Sequence, residues 1–288
     1  MGPAATSARA RFSHNDTYRI DREWHRLEGT AQRDLFRELR QRFLARHRGR
    51  GPWALDAGSG PGRFTPWVGP PRSRRVAADI GPEALEQLAD HWKGPPLGPP
   101  TPDRVRADLV RPPFAPESFG TVAALGNLLG FAEGQSEPLL DRLGALVVPG
   151  GSLLLEVAPA PGERSRYLAR LPPGAVARML RSPARAIVAR VEAEGFAREI
   201  ARKPKAGRFR RFSAAEVTAW CRAGRWEVAE IVAVAPMLGP DAARVDAVAR
   251  DRLAWNRLLE VEEEVGRRPE RWPRAAALLV AAVKTSEG

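Results

Sequence analysis

The chain reads as an α/β protein with a doubly wound sheet. Two observations predict it. Short, mostly apolar runs at residues 53–55, 75–78, 104–107, 121–125 and 152–158 are separated by loops and by segments with helical spacing. Three of these runs end in an acid: Asp56, Asp79 and Asp108. Acids at successive strand ends place chemistry where open α/β sheets hold ligands.

The first run carries the most information. It enters Asp56-Ala57-Gly58-Ser59-Gly60-Pro61-Gly62, with glycines at alternate positions. Glycine supplies unusual dihedrals and removes the Cβ that would block close approach. The spacing differs from the Gly-x-Gly-x-x-Gly of dinucleotide binders, which seat a pyrophosphate on a helix N-terminus. Asp56 would repel a pyrophosphate and attract an ammonium group. The second run ends in Asp79, 21 residues after Gly58. A carboxylate so placed can accept both hydroxyls of a ribose diol. Ile80 follows and can pack on a base. The third run leads to Asp108-Leu109. Gly126-Asn127-Leu128 closes the fourth, and Pro149-Gly150-Gly151 opens the fifth.

The series covers residues 51–158 without a gap. It resembles the class I S-adenosylmethionine-dependent methyltransferases, whose cofactor ends in an amino acid. The resemblance implies a Rossmann-like seven-stranded sheet with an antiparallel last strand. It implies strand six near residues 225–236, strand seven near 275–284, and a helix before strand six starting at Phe212-Ser213-Ala214-Ala215-Glu216. It also implies S-adenosyl-L-methionine as cofactor, bound by Asp56, Gly58, Gly60, Asp79, Ile80, Asp108 and Leu109. Asp108 and the Leu109 amide would pair with the adenine edge. Asn127 borders the place where the methyl group should project, and its amide serves either the substrate or the backbone.

Four segments follow along the chain. Residues 1–50 form an N-terminal helical cap. Its first helix starts near Tyr18, capped by Asp16 or Thr17. Its second is capped by Thr30 and carries Leu35, Leu39 and Phe43 on one face. Residues 51–158 form the cofactor core. A helix should follow Gly62, another should run over 82–93, and a third over 138–146. Residues 159–211 exceed the minimal fold and form a basic insertion, with two helical patterns near 165–171 and 174–181 and a further run over 186–196. The insertion reads as a lid over the substrate pocket or as a peripheral decoration. Residues 212–288 complete the sheet. There, 241–267 looks like one long helix with Leu253, Leu258 and Val261 on one face. Glu262-Glu263-Glu264 looks like a solvated face.

Net charge is +12, which points toward an anionic partner. The excess is local. Residues 1–50 hold twelve Arg against six acids, and residues 160–212 hold fourteen Lys or Arg against four acids. Only four of the 46 cations are lysine, a bias expected of a GC-rich genome. A solvated basic surface and an anionic partner remain equal explanations. No apolar run approaches the ~18–20 residues of a membrane span. The N-terminus lacks the pattern of a secretory signal, so a cytoplasmic location is expected. Cys221 stands alone and is expected to pack. The four histidines show no metal-ligand spacing.

Methyl transfer from a sulfonium asks the protein mainly to align reactants, so no catalytic residue announces itself. Tyr18, Trp24 and His25 are candidates to close over the cofactor or act as base. Gly126-Asn127-Leu128-Leu129 is not the Asn/Asp-Pro-Pro-Tyr motif of amino-group methylases, and no cysteine stands there to attack a cytosine. A small-molecule acceptor, anionic in character, is the leading expectation. RNA is the alternative, because Arg202-Lys203-Pro204-Lys205 and Arg208-Phe209-Arg210-Arg211-Phe212 interleave cations with aromatics. Arg208 and Arg211 are the candidate lid or substrate contacts. A non-catalytic adaptor of the same fold is a third reading, disfavoured by the intact acids. The oligomeric state is open.

Overall fold

The computed structural model describes residues 29–92, 100–132, 134–159, 172–193, 210–224, 226–238 and 242–285. The seven described strands form one sheet in the order β3-β2-β1-β4-β5-β7-β6. They are β1 (Trp53–Ala57), β2 (Arg74–Asp79), β3 (Asp103–Arg106), β4 (Phe119–Ala124), β5 (Val147–Val157), β6 (Trp226–Val234) and β7 (Ala277–Lys284). β1 to β5 pair in parallel. β7 runs antiparallel between β5 and β6. The expected antiparallel last strand is therefore present, and every expected strand is found.

Burial explains the order. All six residues of β4 are buried, as a strand covered on both faces requires. β3, with sequence Asp-Arg-Val-Arg, is mostly exposed and closes one edge with charge. Alternate residues feed two cores. Ala54, Ala123, Leu154, Val232 and Leu279 face one, and Leu55, Val122, Leu155 and Val280 face the other.

The first face is covered by α1 (Ala31–His47), α5 (Pro173–Met179), α6 (Ala184–Ala193), α8 (Ala242–Ala249) and α9 (Arg252–Gly266). The other is covered by α3 (Leu128–Phe131), α4 (Ser136–Ala145), α7 (Ala214–Ala223) and a 3-10 turn, Pro269–Arg274. The helix α2 (Pro82–His91) lies against β2 and β3. Thr30 caps α1 as its sequence predicts, accepting from Arg33 N at 3.3 Å. Leu35, Leu39 and Phe43 are buried together. Arg40 of the same helix forks onto Glu156 of β5 at 2.6 and 3.0 Å, with both side chains buried. The first helix expected in residues 1–28 lies outside the described residues.

Several expectations are corrected. No α-helix follows Gly62; a 3-10 turn, Thr65–Trp67, stands there. Pro66, Gly69, Pro70 and Pro71 crowd the short link to β2, and proline removes the donors a helix needs. The segment read as one helix over 241–267 is two. Asp251 interrupts it and caps α9 through Leu253 N and Ala254 N at 3.0 and 3.1 Å. Leu253, expected on the apolar face, is 60 % exposed because it sits in the first turn after that cap. Glu262, expected in solvent, is fully buried. β5 starts at Val147, ahead of Pro149-Gly150-Gly151, and absorbs that turn as an irregularity in its pairing with β4.

The insertion is not a detached unit where it is described. Val176, Leu180, Ile187 and Val188 are buried in the same core as α1, α8 and α9. The helical pattern expected near 165–171 lies outside the described residues.

Candidate active site

The parallel pairing of β1 to β4 brings the ends of these strands together. Asp56 lies opposite Ala77 of β2 and Ala123 of β4. Asp79 ends β2, and its carbonyl accepts from Ala107 N at 2.9 Å just beyond β3. Asp108 follows two residues after β3, and Asn127 three residues after β4. The sequence-predicted acids thus share one edge of the sheet.

The glycine loop crosses that edge. Gly58 N and Ser59 N both donate to Ala78 O, at 2.8 and 3.1 Å, which ties the loop to β2. Gly60 has φ +53°, and no heavy atom lies within 4 Å of where its Cβ would stand. The loop tip therefore offers bare backbone to a ligand. Gly62 answers a different need: at φ +83°, a Cβ there would meet Leu88 of α2 at 2.5 Å.

The three carboxylates differ in environment. Asp79 is half-buried and already held. Its Oδ2 accepts from Gly60 N at 2.8 Å and its Oδ1 from Gly81 N at 2.9 Å. Each oxygen keeps a further lone pair for a ligand hydroxyl. Asp108 is exposed, with Oδ1 accepting from Val110 N at 3.0 Å. Asp56 is 3 % exposed, and burial pushes its carboxyl up to about 6. Thr65 Oγ1 donates to its Oδ2 at 2.6 Å and opposes that rise. Ile80 is half-buried beside Asp79, and Leu109 is buried beside Asp108.

Asn127 adopts a left-handed backbone, φ +65°. Its Oδ1 accepts from Ala158 N at 2.9 Å, so the amide serves the backbone just past β5. Gly126 N donates to Glu156 Oε2 at 3.3 Å, so the post-β4 turn leans on the buried Arg40–Glu156 pair. Gly130 O accepts from Arg210 N at 2.8 Å. Arg211 donates from Nη1 to Pro159 O at 3.2 Å. Tyr18, Trp24, His25 and Arg208 lie outside the described residues.

Thr65, Arg40 and Glu156 were not singled out from the sequence. Glu156 had a visible signal: it is the one acid in the otherwise apolar stretch Leu153-Leu154-Leu155-Glu156-Val157. Thr65 had none, because a helix was expected where the 3-10 turn lies.

Acids at three adjacent strand ends, with bare backbone at the loop tip, suit a cationic nucleoside that carries hydroxyls. Residues 55–155 match the family model described as "Methyltransferase domain". That stretch is thus similar to a methyltransferase domain. Its methyl donor is S-adenosylmethionine, as that domain requires. The fold is similar to that of solved structures. The methyltransferase solved with the Trm112 activator of Haloferax volcanii is 16% identical, with a TM-score of 0.52 over 93% of this chain and 97% of that one. The Burkholderia thailandensis 1,6-didemethyltoxoflavin-N1-methyltransferase, solved with 1,6-didemethyltoxoflavin and S-adenosylhomocysteine, is 17% identical. Its TM-score is 0.52 over 99% of this chain and 92% of that one. The magnesium protoporphyrin IX methyltransferase of Synechocystis PCC 6803 is 12% identical, with a TM-score of 0.50 over 98% of this chain and 100% of that one. A comparison with curated protein sequences gives no match. Among the described residues, no helix is long and apolar enough to cross a membrane.

Proposed function

We propose that this methyltransferase modifies a small, anionic molecule held between the post-β4 turn and the neck of the 159–211 insertion. In this reading Asp56 receives the ammonium of the cofactor and Gly58 and Gly60 admit its tail. Asp79 receives the ribose hydroxyls through its remaining lone pairs. Ile80 flanks the adenine, while Asp108 and the Leu109 amide take its edge. Asn127 holds Ala158, and through it the wall of the acceptor site. The bound cofactor supplies an activated methyl group on a cationic sulfur. The protein's share is orientation and exclusion of water, which can lower a barrier substantially without a covalent step.

One observation favours a small acceptor over RNA. The described end of the basic cluster is used internally. Arg210 pairs with Glu216 at 3.0 Å and lies over Phe212 and Trp220, 5.1 and 5.6 Å from their ring centroids. Arg211 is tied to Pro159 O. Phe212 N in turn donates to Ala158 O at 2.9 Å, and Pro159 and Phe212 form a parallel bridge. These contacts close the neck of the insertion beside the post-β4 turn, where a lid belongs. The proposed bounds remain 1–50 for the cap, 51–158 for the core, 159–211 for the insertion and 212–288 for the rest. A cytoplasmic location completes the reading and agrees with a single, buried, unpaired cysteine.

The test has two arms. Calorimetry should show S-adenosylhomocysteine binding, reduced at least ~10-fold by Asp79→Ala through loss of charge-assisted hydrogen bonds. Transfer of labelled methyl should then be measured on carboxylated and phosphorylated metabolites and, separately, on purified tRNA and rRNA. Turnover confined to a small acid supports the proposal. Structure-specific RNA methylation, with binding that weakens steeply in salt, would replace it with the RNA reading.

A further inference from the structure

The proposed cofactor role of Asp56 carries a difficulty that the fold itself resolves. A carboxylate 3 % exposed is driven toward its neutral form, and a neutral acid attracts no ammonium. The charged groups around it are few. Asp79 at the end of β2 discourages ionisation, and Arg63 in the loop encourages it. The facing residues of β2 and β4, Ala77 and Ala123, bring no charge. Among the described residues, Thr65 is the only hydrogen-bond donor to this carboxylate.

Thr65 reaches Asp56 because the helix expected after Gly62 does not form. The chain turns sharply instead: Thr65 N donates to Gly62 O at 3.2 Å, and Pro66 follows within the turn. Thr65 is fully buried, so its hydroxyl has no water to choose. Its Oγ1 lies 3.2 Å from where a Cβ on Gly62 would stand. The glycine is therefore part of the seat. The 2.6 Å separation from Asp56 Oδ2 matches a hydroxyl donating to an ionised carboxylate, which runs shorter than a neutral pair.

We infer that Thr65 is a positioning residue for the cofactor's amino-acid tail: its hydroxyl holds the Asp56 carboxylate ionised and turns it toward the ammonium group. The inference rests on the proposed role of Asp56. It adds that the tail site depends on a side chain nine residues along the chain, presented by a 3-10 turn.

Two ligands separate this role from simple packing. S-adenosylhomocysteine carries the amino-acid tail, whereas 5′-methylthioadenosine carries the same nucleoside without it. Thr65→Val should weaken S-adenosylhomocysteine about 5–10-fold at pH 5.5, where a one-unit rise in the Asp56 midpoint leaves nearly all of the acid neutral, and less than about 2-fold at pH 7.5. It should leave 5′-methylthioadenosine within about 2-fold, since that ligand makes no ammonium contact. Thr65→Ser keeps the hydroxyl and should restore S-adenosylhomocysteine binding. If the valine variant does not fold, Thr65→Ala serves the same comparison. A second measurement needs no ligand. Carbon NMR titration of the Asp56 carboxyl should show its midpoint rising by about one pH unit in the variant that lacks the hydroxyl.

Equal weakening of both ligands, or an unmoved Asp56 midpoint, overturns the inference and assigns Thr65 to packing alone. Wild-type protein that binds neither ligand overturns the proposed function. In that case the NMR midpoint still decides whether Thr65 controls Asp56, so the two failures are distinguishable.

Discussion

Asp56 and Glu262 sit in different parts of the molecule and share an unusual state. Both are buried carboxyls raised by burial, Asp56 to about 6 and Glu262 to about 7. Their partners differ. Asp56 meets one hydroxyl at the glycine loop. Glu262 is closed in under the post-β6 turn, with Oε2 accepting from Met237 N at 2.9 Å and Oε1 from Leu238 N at 2.8 Å. α9 also presses closely on β6 itself: a Cβ on Gly266 would meet Ala233 O at 2.5 Å. A raised carboxyl is therefore no mark of a site by itself. Glu262 uses both oxygens to satisfy backbone donors, so its work is structural. Asp56 is held from one side, beside an open loop tip.

The largest effect should come from breaking the structural member. Glu262→Ala strands two buried N–H groups, each costing about 1–3 kcal/mol, and leaves a small cavity. A stability loss of about 3–5 kcal/mol is expected in urea denaturation. S-adenosylhomocysteine affinity of the protein that remains folded should stay within about 2-fold. A loss below 1 kcal/mol would mean the turn finds other partners and the comparison fails.

The pH profile of stability sharpens the same contrast. Both groups have folded pKa values above their ordinary ones, so the folded state binds more protons than the unfolded chain. The stabilising effect of protonation is fully present below about 4 and lost as pH rises through about 6 for Asp56 and about 7 for Glu262. Wild-type stability should therefore decline from these two groups between about pH 4 and 7. Glu262→Gln should flatten the upper part of the decline, and Asp56→Asn the lower part. A profile unchanged by either substitution would remove the premise that these carboxyls titrate late.

Asp56→Asn should separate function from folding. The amide keeps an acceptor for Thr65 and sheds a poorly solvated charge. Stability at pH 8 should stay within about 1 kcal/mol of wild type or rise. S-adenosylhomocysteine should weaken at least ~10-fold, with 5′-methylthioadenosine little changed. This is the reverse of the pattern for Glu262→Ala.

The two carboxyls also show what the sequence could convey. Asp56 was legible because strand, acid and alternate glycines are consecutive, and such local order fixes a strand end and loop without tertiary help. Asp79 and Asp108 were legible for the same reason. Thr65 was not, because its contact depends on a helix failing to form where prolines crowd a short link. Glu262 was misread because three consecutive acids on a helix resemble a solvated face. Only the third dimension shows that one of them points under a turn whose amides need acceptors. The division of 241–267 at Asp251 was similarly hidden, since the apolar spacing continues across the break. The sheet, by contrast, rests on runs of burial that any alternative pairing would expose.

Glu216 completes the comparison with the opposite sign and the smallest effect. It closes the capping box of α7: Ser213 N and Ser213 Oγ donate to its Oε2 at 2.7 and 2.8 Å, and Glu216 N donates back to Ser213 Oγ at 3.2 Å. Those hydrogen bonds, with Arg210 beside it, hold its carboxyl below the usual range. A depressed acid contributes stability that is present above its ordinary pKa and lost as pH falls through the folded value. Its contribution should therefore vanish in acid, where those of Asp56 and Glu262 are fully present. The side chain is 41% exposed, so solvent screening keeps the effect small. Glu216→Gln retains an acceptor for the Ser213 amide and loses only the charge. A loss of about 0.5 kcal/mol at pH 7 is expected, shrinking toward zero below pH 4. Equal losses at pH 7 and pH 3 would show that the cap depends on shape rather than charge.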